Sequence, residues 1–376
     1  MLKGLHLTLM IGPAVPVPVP QTVLDALDSL QVITTAGEGA SGFELRFTLS
    51  NRSPLHTLFL LSAGAGIPLV RVLIVVTVNG TPQVLMDGVM THHQIAPGNE
   101  PGQSTLTVKG KDLTAVMDYL PLDGVPYPAM PPAVRVLAIL AKYAVFGLVP
   151  MVIPSVVEDI PLPVDRIPRQ QGTDLRYIQQ LAKEAGYVFY IDPGPLPGAS
   201  IAYWGPEIKV GAPQPALNIN MDAHTNVESL SFSFDKEAKE LPVVFIQNQA
   251  TRVPIPIPIP DITPLNPPLG LVPPLPPKIT ALDYTAKLSP LQAVLHGLAY
   301  AAQHADAVSG TGSLNVLRYG RVLKARQLVG VRGAGAAFDG LYYVKSVTHH
   351  IKRGEYTQDF TLSRNGLLST VPKVPA

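Results

Sequence analysis

The sequence predicts an α+β fold that is mostly β, and three observations point to it. Proline accounts for 40 of the 376 residues, about twice the usual ~5%, and interrupts long helices. Hydrophobic residues make up 47% of the chain and charged residues 15%, a balance typical of a protein with a large buried core. Stretches near both ends alternate apolar with polar residues, as strands do. The length allows two or three domains.

The first third is predicted to consist of strands. One covers residues 5–11, and another covers residues 43–50, where Glu44 and Arg46 alternate with apolar neighbours. The polar face of the second strand would meet solvent or a water-filled channel. A third strand is expected at residues 104–109.

Residues 71–78 form a strand that is apolar on both faces. Such a strand must be covered on both sides, by another layer or by a neighbouring subunit. We therefore expect a subunit interface here, and its candidate residues are Val72, Ile74, Val75 and Val76.

The middle third is predicted to be mixed. Apolar residues at helical spacing predict helices over residues 133–146 and 173–185. The second helix has Thr173 as a candidate N-cap and Gly186 as a candidate left-handed C-terminal residue. A short strand is expected at 187–191.

The last third returns to strands, expected at 227–234, 243–248, 321–332, 341–351 and 355–364, with a helix starting at residue 289. In the final strand Thr357 and Asp359 lie on a wholly polar face. Between residues 254 and 277 proline is so frequent that an extended polyproline II arm is predicted, with a reach of ~70 Å at 3.1 Å per residue.

A repeated pattern links the two ends of the chain. Residues 87–95 and 339–351 each begin with Asp-Gly and continue through a β stretch to Thr-His-His, and a Thr-Leu strand follows both. We interpret this as a structural duplication.

Charge and motif content argue against several functions. The formal net charge of +1 gives no overall case for a nucleic-acid binder, and the lack of cysteine removes thiolate chemistry and Cys-ligated zinc. Adjacent histidines on a strand point to opposite faces, so neither His-His pair is suited to hold one metal ion. The glycine-rich segment 37–42 is followed by a strand, whereas a dinucleotide site needs a helix there. The sequence predicts no enzyme activity, no cofactor and no membrane span.

A group of basic residues near the C-terminus is the remaining candidate site. If residues 321–332 form a strand, Lys324, Arg326 and Arg332 share one face. This face would be a solvated surface, a channel lining or a docking strip.

Three segments carry a resemblance to a known family. Residues 105–118 (TLTVKGKDLTAVMD), 173–192 (TDLRYIQQLAKEAGYVFYID) and 319–367 (YGRVLKARQLVGVRGAGAAFDGLYYVKSVTHHIKRGEYTQDFTLSRNGL) resemble the baseplate hub proteins of contractile phage tails and related injection systems. These include the late control gene D family and the hub portion of type VI valine-glycine-repeat spike proteins.

The resemblance implies two tail-tube-like β-barrel domains in one chain, at 1–120 and 223–368, with a mixed α/β insert at 121–222. The second domain would include the proline-rich arm at 251–278 and a helix at 289–306, and residues 369–376 would be a tail. Polar strand faces would line a channel, including Glu44, Arg46, Thr357 and Asp359.

It also implies a non-enzymatic homotrimer that adapts a six-fold tail tube to a three-fold spike. Its partners would be a separate spike protein, a tail-tube or tube-initiator protein and baseplate wedge proteins, with nucleic acid at most in transit. Assembly would take place in the bacterial cytoplasm, and the product would be a virion or injection particle. The alternatives are a monomeric β module that binds carbohydrate or nucleic acid, and a cell-wall hydrolase.

Overall fold

The structure is a computed structural model of the whole chain. It describes residues 4–371 and Val374, with gaps at 14, 38, 40, 50–52, 54, 56–58, 60–68, 99–103, 156–162, 165–166, 248–253, 260–265, 275–277 and 283–289. Within the described part, no helix is long and apolar enough to cross a membrane.

The N-terminal part is built from strands and one short helix. Its strands are β1 (Leu5–Gly12), β2 (Val17–Pro18), β3 (Leu27–Thr35), β4 (Gly42–Thr48), β5 (Arg71–Val78), β6 (Thr81–Ala96) and β7 (Thr105–Asp112), and helix α1 covers Gln21–Asp25. The strands predicted around residues 5–11, 43–50, 71–78 and 104–109 are therefore confirmed.

The middle part alternates helices with a small sheet. Its elements are α2 (Thr114–Met117), α3 (Pro132–Ala141), β8 (Leu148–Val152), α4 (Asp174–Ala185), β9 (Val188–Pro193), β10 (Ser200–Gly205) and β11 (Gln214–Asn218). The predicted caps of α4 are confirmed. The Thr173 hydroxyl accepts a hydrogen bond from the Arg176 backbone N–H, and Gly186 has φ +72°.

The C-terminal part returns to strands. Its elements are β12 (Ser229–Phe234), β13 (Glu240–Gln247), β14 (Pro254–Pro258), β15 (Gly270–Val272), β16 (Lys278–Ala281), α5 (Pro290–Gln303), β17 (Val308–Asn315), α6 (Val316–Tyr319), β18 (Leu328–Arg332), β19 (Gly340–Lys352), β20 (Glu355–Arg364) and β21 (Leu367–Ser369). The chain is thus mostly β, as predicted.

One large sheet runs through both ends of the chain, in the strand order β12-β17-β20-β19-β3-β4-β7-β6-β5-β1-β2. Strand β19 makes the connection between the halves. One of its edges pairs with β20, and its other edge pairs first with β18 and then, from Ser346 onward, with β3. The smaller sheet β8-β10-β9 belongs to the middle part.

The two halves of the large sheet repeat one strand order. In the first half the antiparallel pairs are β3·β4, β4·β7, β7·β6 and β6·β5, and in the second half they are β12·β17, β17·β20, β20·β19 and β19·β18. The two Thr-His-His segments lie on β6 and β19, which hold the same position in this order. The duplication inferred from the sequence is therefore confirmed at the level of strand order.

The cores follow a different division. Buried residues of both halves, such as Leu45 of β4 and Tyr342 of β19, belong to one continuous hydrophobic cluster. A second cluster lies between α3, α4 and the small sheet, and includes Ile139, Ile178 and Trp204. The duplicated halves therefore share one core, and the middle part has its own.

The proline-rich segment differs from the prediction. Strand β14 pairs antiparallel with β13, and β15 pairs antiparallel with β21 near the C-terminus. The extended backbone expected of alternating proline is present, but these parts of the segment pair with neighbouring strands. The described parts of the segment therefore do not form a free polyproline II arm.

Candidate assembly surface

A polar surface covers one side of the first half of the large sheet. On β4, Glu44 and Arg46 point outward between buried Phe43, Leu45 and Phe47. Glu44 lies opposite Lys109 of β7, and the Lys109 Nζ to Glu44 Oε2 distance is 2.9 Å. The alternation predicted for this strand therefore places charged groups on one face and the core on the other.

The second half carries a matching surface rich in hydroxyl groups. Thr357 and Asp359 of β20 lie on it, as predicted from the sequence of that strand. Hydroxyl pairs bridge neighbouring strands, with Oγ to Oγ distances of 2.8 Å for Ser229 and Ser313 and 2.6 Å between Ser346 Oγ and Thr361 Oγ1. These pairs satisfy polar groups across the strands without a net charge.

The pairing of β3 with β19 joins the two surfaces. His350 lies opposite Gln31, and Gln31 lies opposite Glu44 on the next strand, so all three share one face. The result is a continuous polar face across eight strands, β12, β17, β20, β19, β3, β4, β7 and β6, which we call the eight-strand face. The opposite side of these strands contributes to the shared core.

At both ends of the eight-strand face, a strand edge has no partner among the described strands. No described strand pairs with the outer edge of β12, whose sequence SLSFSF carries no charge and no proline. At the other end, β6 extends beyond β5, and its last six residues, 91–96, are exposed and pair only with β7 among the described strands. Such bare edges are templates for pairing with another chain.

The two neighbouring histidines on β19 have different surroundings. His350 is exposed on the eight-strand face, and its Nε2 lies 3.0 Å from Asp359 Oδ2. His349 points into the core, where its Nδ1 lies 2.7 Å from the Tyr356 hydroxyl. Burial lowers the pKa of His349 to about 3, with a smaller contribution from His350. The pair thus divides between core and surface, as expected for adjacent residues of a strand.

The predicted basic strip does not form. Residues 321–327 are not a strand, because the chain turns at Arg326, which has φ +63°, and β18 begins only at Leu328. Lys324 is exposed in this loop, and its backbone N–H and C=O bond the Gln214 side chain. Arg332 is half-buried at the end of β18. The three cations therefore do not share a strand face.

Arg326 is buried and connects three parts of the chain. Its guanidinium pairs with Asp192 of β9, donates to the Thr35 carbonyl of β3 at 2.6 Å and lies 4.1 Å from the centre of the Tyr190 ring. Its side chain is 6% exposed, so it is not a channel or docking residue. Desolvation raises the pKa of the nearby Asp112 carboxyl, and the positive charge of Arg326 offsets part of this increase.

The apolar strand β5 is covered within the single chain. Val72, Ile74 and Val76 are 0% exposed, and Val75 is 7% exposed. Strands β1 and β6 flank β5, and Val72, Ile74 and Val76 belong to the shared core. Burial of these four residues therefore needs no neighbouring subunit, and a subunit interface at β5 has no support from their exposure.

Sequence reasoning missed a buried ion pair on the side of β5 that faces the middle part of the chain. Arg71 Nη2 lies 2.6 Å from Asp87 Oδ2 and donates to the carbonyl oxygens of Phe146 at 2.8 Å and Gly198 at 3.2 Å. The Ser200 hydroxyl donates to the same carboxylate at 2.8 Å. The pair attaches the small sheet to the large one. The available signal was one charged residue at the start of the almost wholly apolar β5 and one within residues 84–90 of β6, which are otherwise apolar or glycine.

A second buried ion cluster lies where the middle part meets the second half. Lys209 Nζ lies 3.1 Å from Asp306 Oδ2, and Lys345 and the Ser363 hydroxyl contact the same carboxylate. These neighbours lower the pKa of Asp306 against the opposing effect of burial. The described residues contain no group of three or more His, Asp or Glu side chains arranged to hold a metal ion.

Comparison with known proteins shows which solved structures share the fold of this chain. No protein-family profile and no curated protein sequence matches the chain. Among solved structures, it is similar to a tail protein from Neisseria meningitidis MC58, with a TM-score of 0.63 and 12% identity over 97% of this chain and 98% of that one. The chain therefore shares the fold of this tail protein.

Two further structures share this fold. The tail protein of prophage MuSo2 from Shewanella oneidensis gives a TM-score of 0.60 at 13% identity, over 96% of this chain and 99% of that one. The E. coli c3393 protein gives 0.54 at 10% identity, over 93% and 76%. That protein is a component of the type VI secretion system, with structural similarity to T4 bacteriophage tail proteins gp27 and gp5. At these identities the comparison concerns the fold alone.

Proposed function

We propose that this chain is the structural hub of a contractile tail or injection particle, a homotrimer that joins a six-fold tail tube to a three-fold spike. The supporting observation is the eight-strand face, because it is one polar surface built from two halves with the same strand order. Three chains with two such halves each would present six similar surfaces. A three-fold assembly could then match a six-fold ring.

The size of the eight-strand face fits a channel lining. Three such faces would contribute roughly 24 strands, which at about 4.8 Å per strand enclose a ring about 37 Å across before strand tilt. Glu44, Arg46, Thr357 and Asp359 would then face the channel. In this proposal each half, at 1–120 and 223–368, corresponds to one tube-like β-barrel domain, and the insert at 121–222 lies outside the channel.

The free edges suggest how neighbouring copies join. The outer edge of β12 and the exposed end of β6 each span six residues and lie at opposite ends of the same face. Pairing β12 of one copy with residues 91–96 of the next would continue the sheet and produce a closed ring of head-to-tail contacts. The subunit interface is therefore proposed at these edges and not at Val72, Ile74, Val75 and Val76.

The proposed partners are a separate spike protein below the ring and a tail-tube or tube-initiator protein above it, with baseplate wedge proteins around it. The role is non-enzymatic, and nucleic acid would meet the chain only in transit. Assembly would occur in the bacterial cytoplasm. The similarity to tail and type VI secretion proteins supports this setting through the fold.

The test is the mass of the chain in solution, alone and with the spike protein of its particle. Wild type should form trimers, and Ser231→Lys on β12 should shift them to monomers because an edge lysine opposes strand addition. Ser309→Lys is the matched control, since Ser309 is exposed on β17, which is paired on both sides. A wild-type chain that stays monomeric under both conditions would refute the proposal.

A further inference from the structure

Two segments of the chain alternate proline with valine or isoleucine, and each contains an edge strand. The first, residues 15–20, contains β2 at the end of the large sheet, and the second, residues 253–260, contains β14 at the edge of a small sheet. They lie more than two hundred residues apart in the sequence and pair with different strands. The same arrangement therefore occurs twice in this fold.

Hydrogen bonds define which backbone N–H groups of these strands point toward the partner strand. The Val19 backbone N–H donates to the Leu9 carbonyl at 3.0 Å, and the Ile259 backbone N–H donates to the Pro242 carbonyl at 3.0 Å. Because the direction of the backbone N–H alternates along a strand, the N–H groups of Val17 and Ile257 also point toward their partner strands. The positions between them face outward, and proline occupies each one in β2 and β14.

Proline has no backbone N–H, so the outer edges of β2 and β14 have carbonyl acceptors and no donors. A further strand could receive no hydrogen bonds from these edges, and half of the ladder would be missing. The side chains of Pro18, Pro256 and Pro258 are exposed and do not contribute to a core. Packing therefore does not account for proline at these positions.

We propose that the two alternating-proline segments are edge caps that prevent uncontrolled strand addition and leave the edge of β12 and the end of β6 open to a second copy of this chain. The contrast between the edges supports this. Strand β12 has neither proline nor charge, whereas β2 and β14 have proline at every outward position. The edge strand β8 has Pro150 at its centre in the same way.

The test restores the missing donors. Pro256→Thr combined with Pro258→Thr gives β14 two outward N–H groups, and Pro18→Thr gives β2 one. Each variant should form species larger than wild type, with a several-fold rise in average mass by light scattering as concentration increases. Pro273→Thr is the matched control because Pro273 is exposed just after β15 and outside any strand, and it should keep the wild-type mass.

A second pair of variants separates edge pairing from loss of stability. Pro256→Lys with Pro258→Lys restores the same N–H groups but adds charges that oppose strand addition. This variant should keep the wild-type mass, while association of the Lys variant to the same extent as the Thr variant would overturn the proposal. Wild-type mass in both Thr variants would also overturn it. Each comparison is with wild type, so the result does not depend on whether wild type is a trimer.

Discussion

Arg71 and Asp87 form a buried ion pair that holds two parts of the fold together. Their side chains are 3% and 1% exposed, and the arginine also binds two carbonyl groups of the middle part. Removal of one partner leaves an uncompensated buried charge, which typically costs about 3 to 5 kcal/mol.

We therefore expect Asp87→Asn to lower the free energy of unfolding by about 3 kcal/mol, as measured by urea denaturation. Glu44→Gln is the matched control because the Glu44 to Lys109 pair is largely exposed, with side chains 38% and 51% exposed. Its effect should stay below about 1 kcal/mol. Equal effects of the two variants would contradict the assigned role of the buried pair.

His349 predicts a dependence of stability on pH. The folded protein holds the pKa of His349 at about 3, whereas an unfolded histidine titrates near ~6.5. Between these values the unfolded chain binds a proton that the folded chain does not. Stability should therefore be complete above pH ~6.5 and fall as the pH decreases, by up to about 1.4 kcal/mol per pH unit.

Thermal melting between pH 7 and pH 5 checks this prediction. His349→Asn should reduce the slope of melting temperature against pH. His350→Asn, one residue along on the exposed face, should retain the slope. An unchanged slope in the first variant would mean that another group causes the dependence.

At the scale of elements, strand β5 shows why an apolar pattern alone does not locate an interface. Its sequence requires cover on both faces, and the chain itself provides that cover. Val75→Asp should therefore prevent folding, because it buries an unpaired charge. Circular dichroism and protease resistance distinguish this outcome from a folded monomer, which would instead support a subunit interface at Val75.

Helix α4 illustrates what local sequence predicts well. Thr173 and Gly186 act within one turn of the helix ends, so their roles are visible in the sequence. Gly186→Ala should destabilise the protein by more than about 1 kcal/mol, because the backbone is left-handed there and the new Cβ would contact Ala299 of α5. Gly354→Ala, also at positive φ but with open space around it, is the control for backbone strain alone.

Arg326 illustrates what local sequence predicts poorly. Residues 321–332 alternate like a strand, and nothing in them reveals that Arg326 pairs with Asp192, which lies 134 residues away in the chain. The positive φ of Arg326 breaks the strand. The position of Arg326 depends on contacts between distant segments, which the local sequence does not show. The outward orientation of Glu44 and Arg46 depends only on the alternation of residues along one strand.

At the scale of the whole molecule, the shared core predicts that the two duplicated halves unfold together. Leu45 belongs to the first half and Tyr342 to the second, and both lie in one hydrophobic cluster. Leu45→Ala should cost about 2 to 5 kcal/mol. Hydrogen exchange should show a similar loss of protection in β4 and in β20. Loss confined to β4 would show that the halves unfold independently.

The connection between β3 and β19 also bears on how the chain is synthesised. The edge of β3 is completed by residues 346–352, more than three hundred positions later in the chain. Nearly the whole polypeptide must therefore be synthesised before the edge of β3 can pair with β19. During translation the edge of β3 would expose unpaired backbone N–H and C=O groups. Contacts of such long sequence separation also form slowly. The nascent chain is thus most in need of chaperone protection before its final strands emerge.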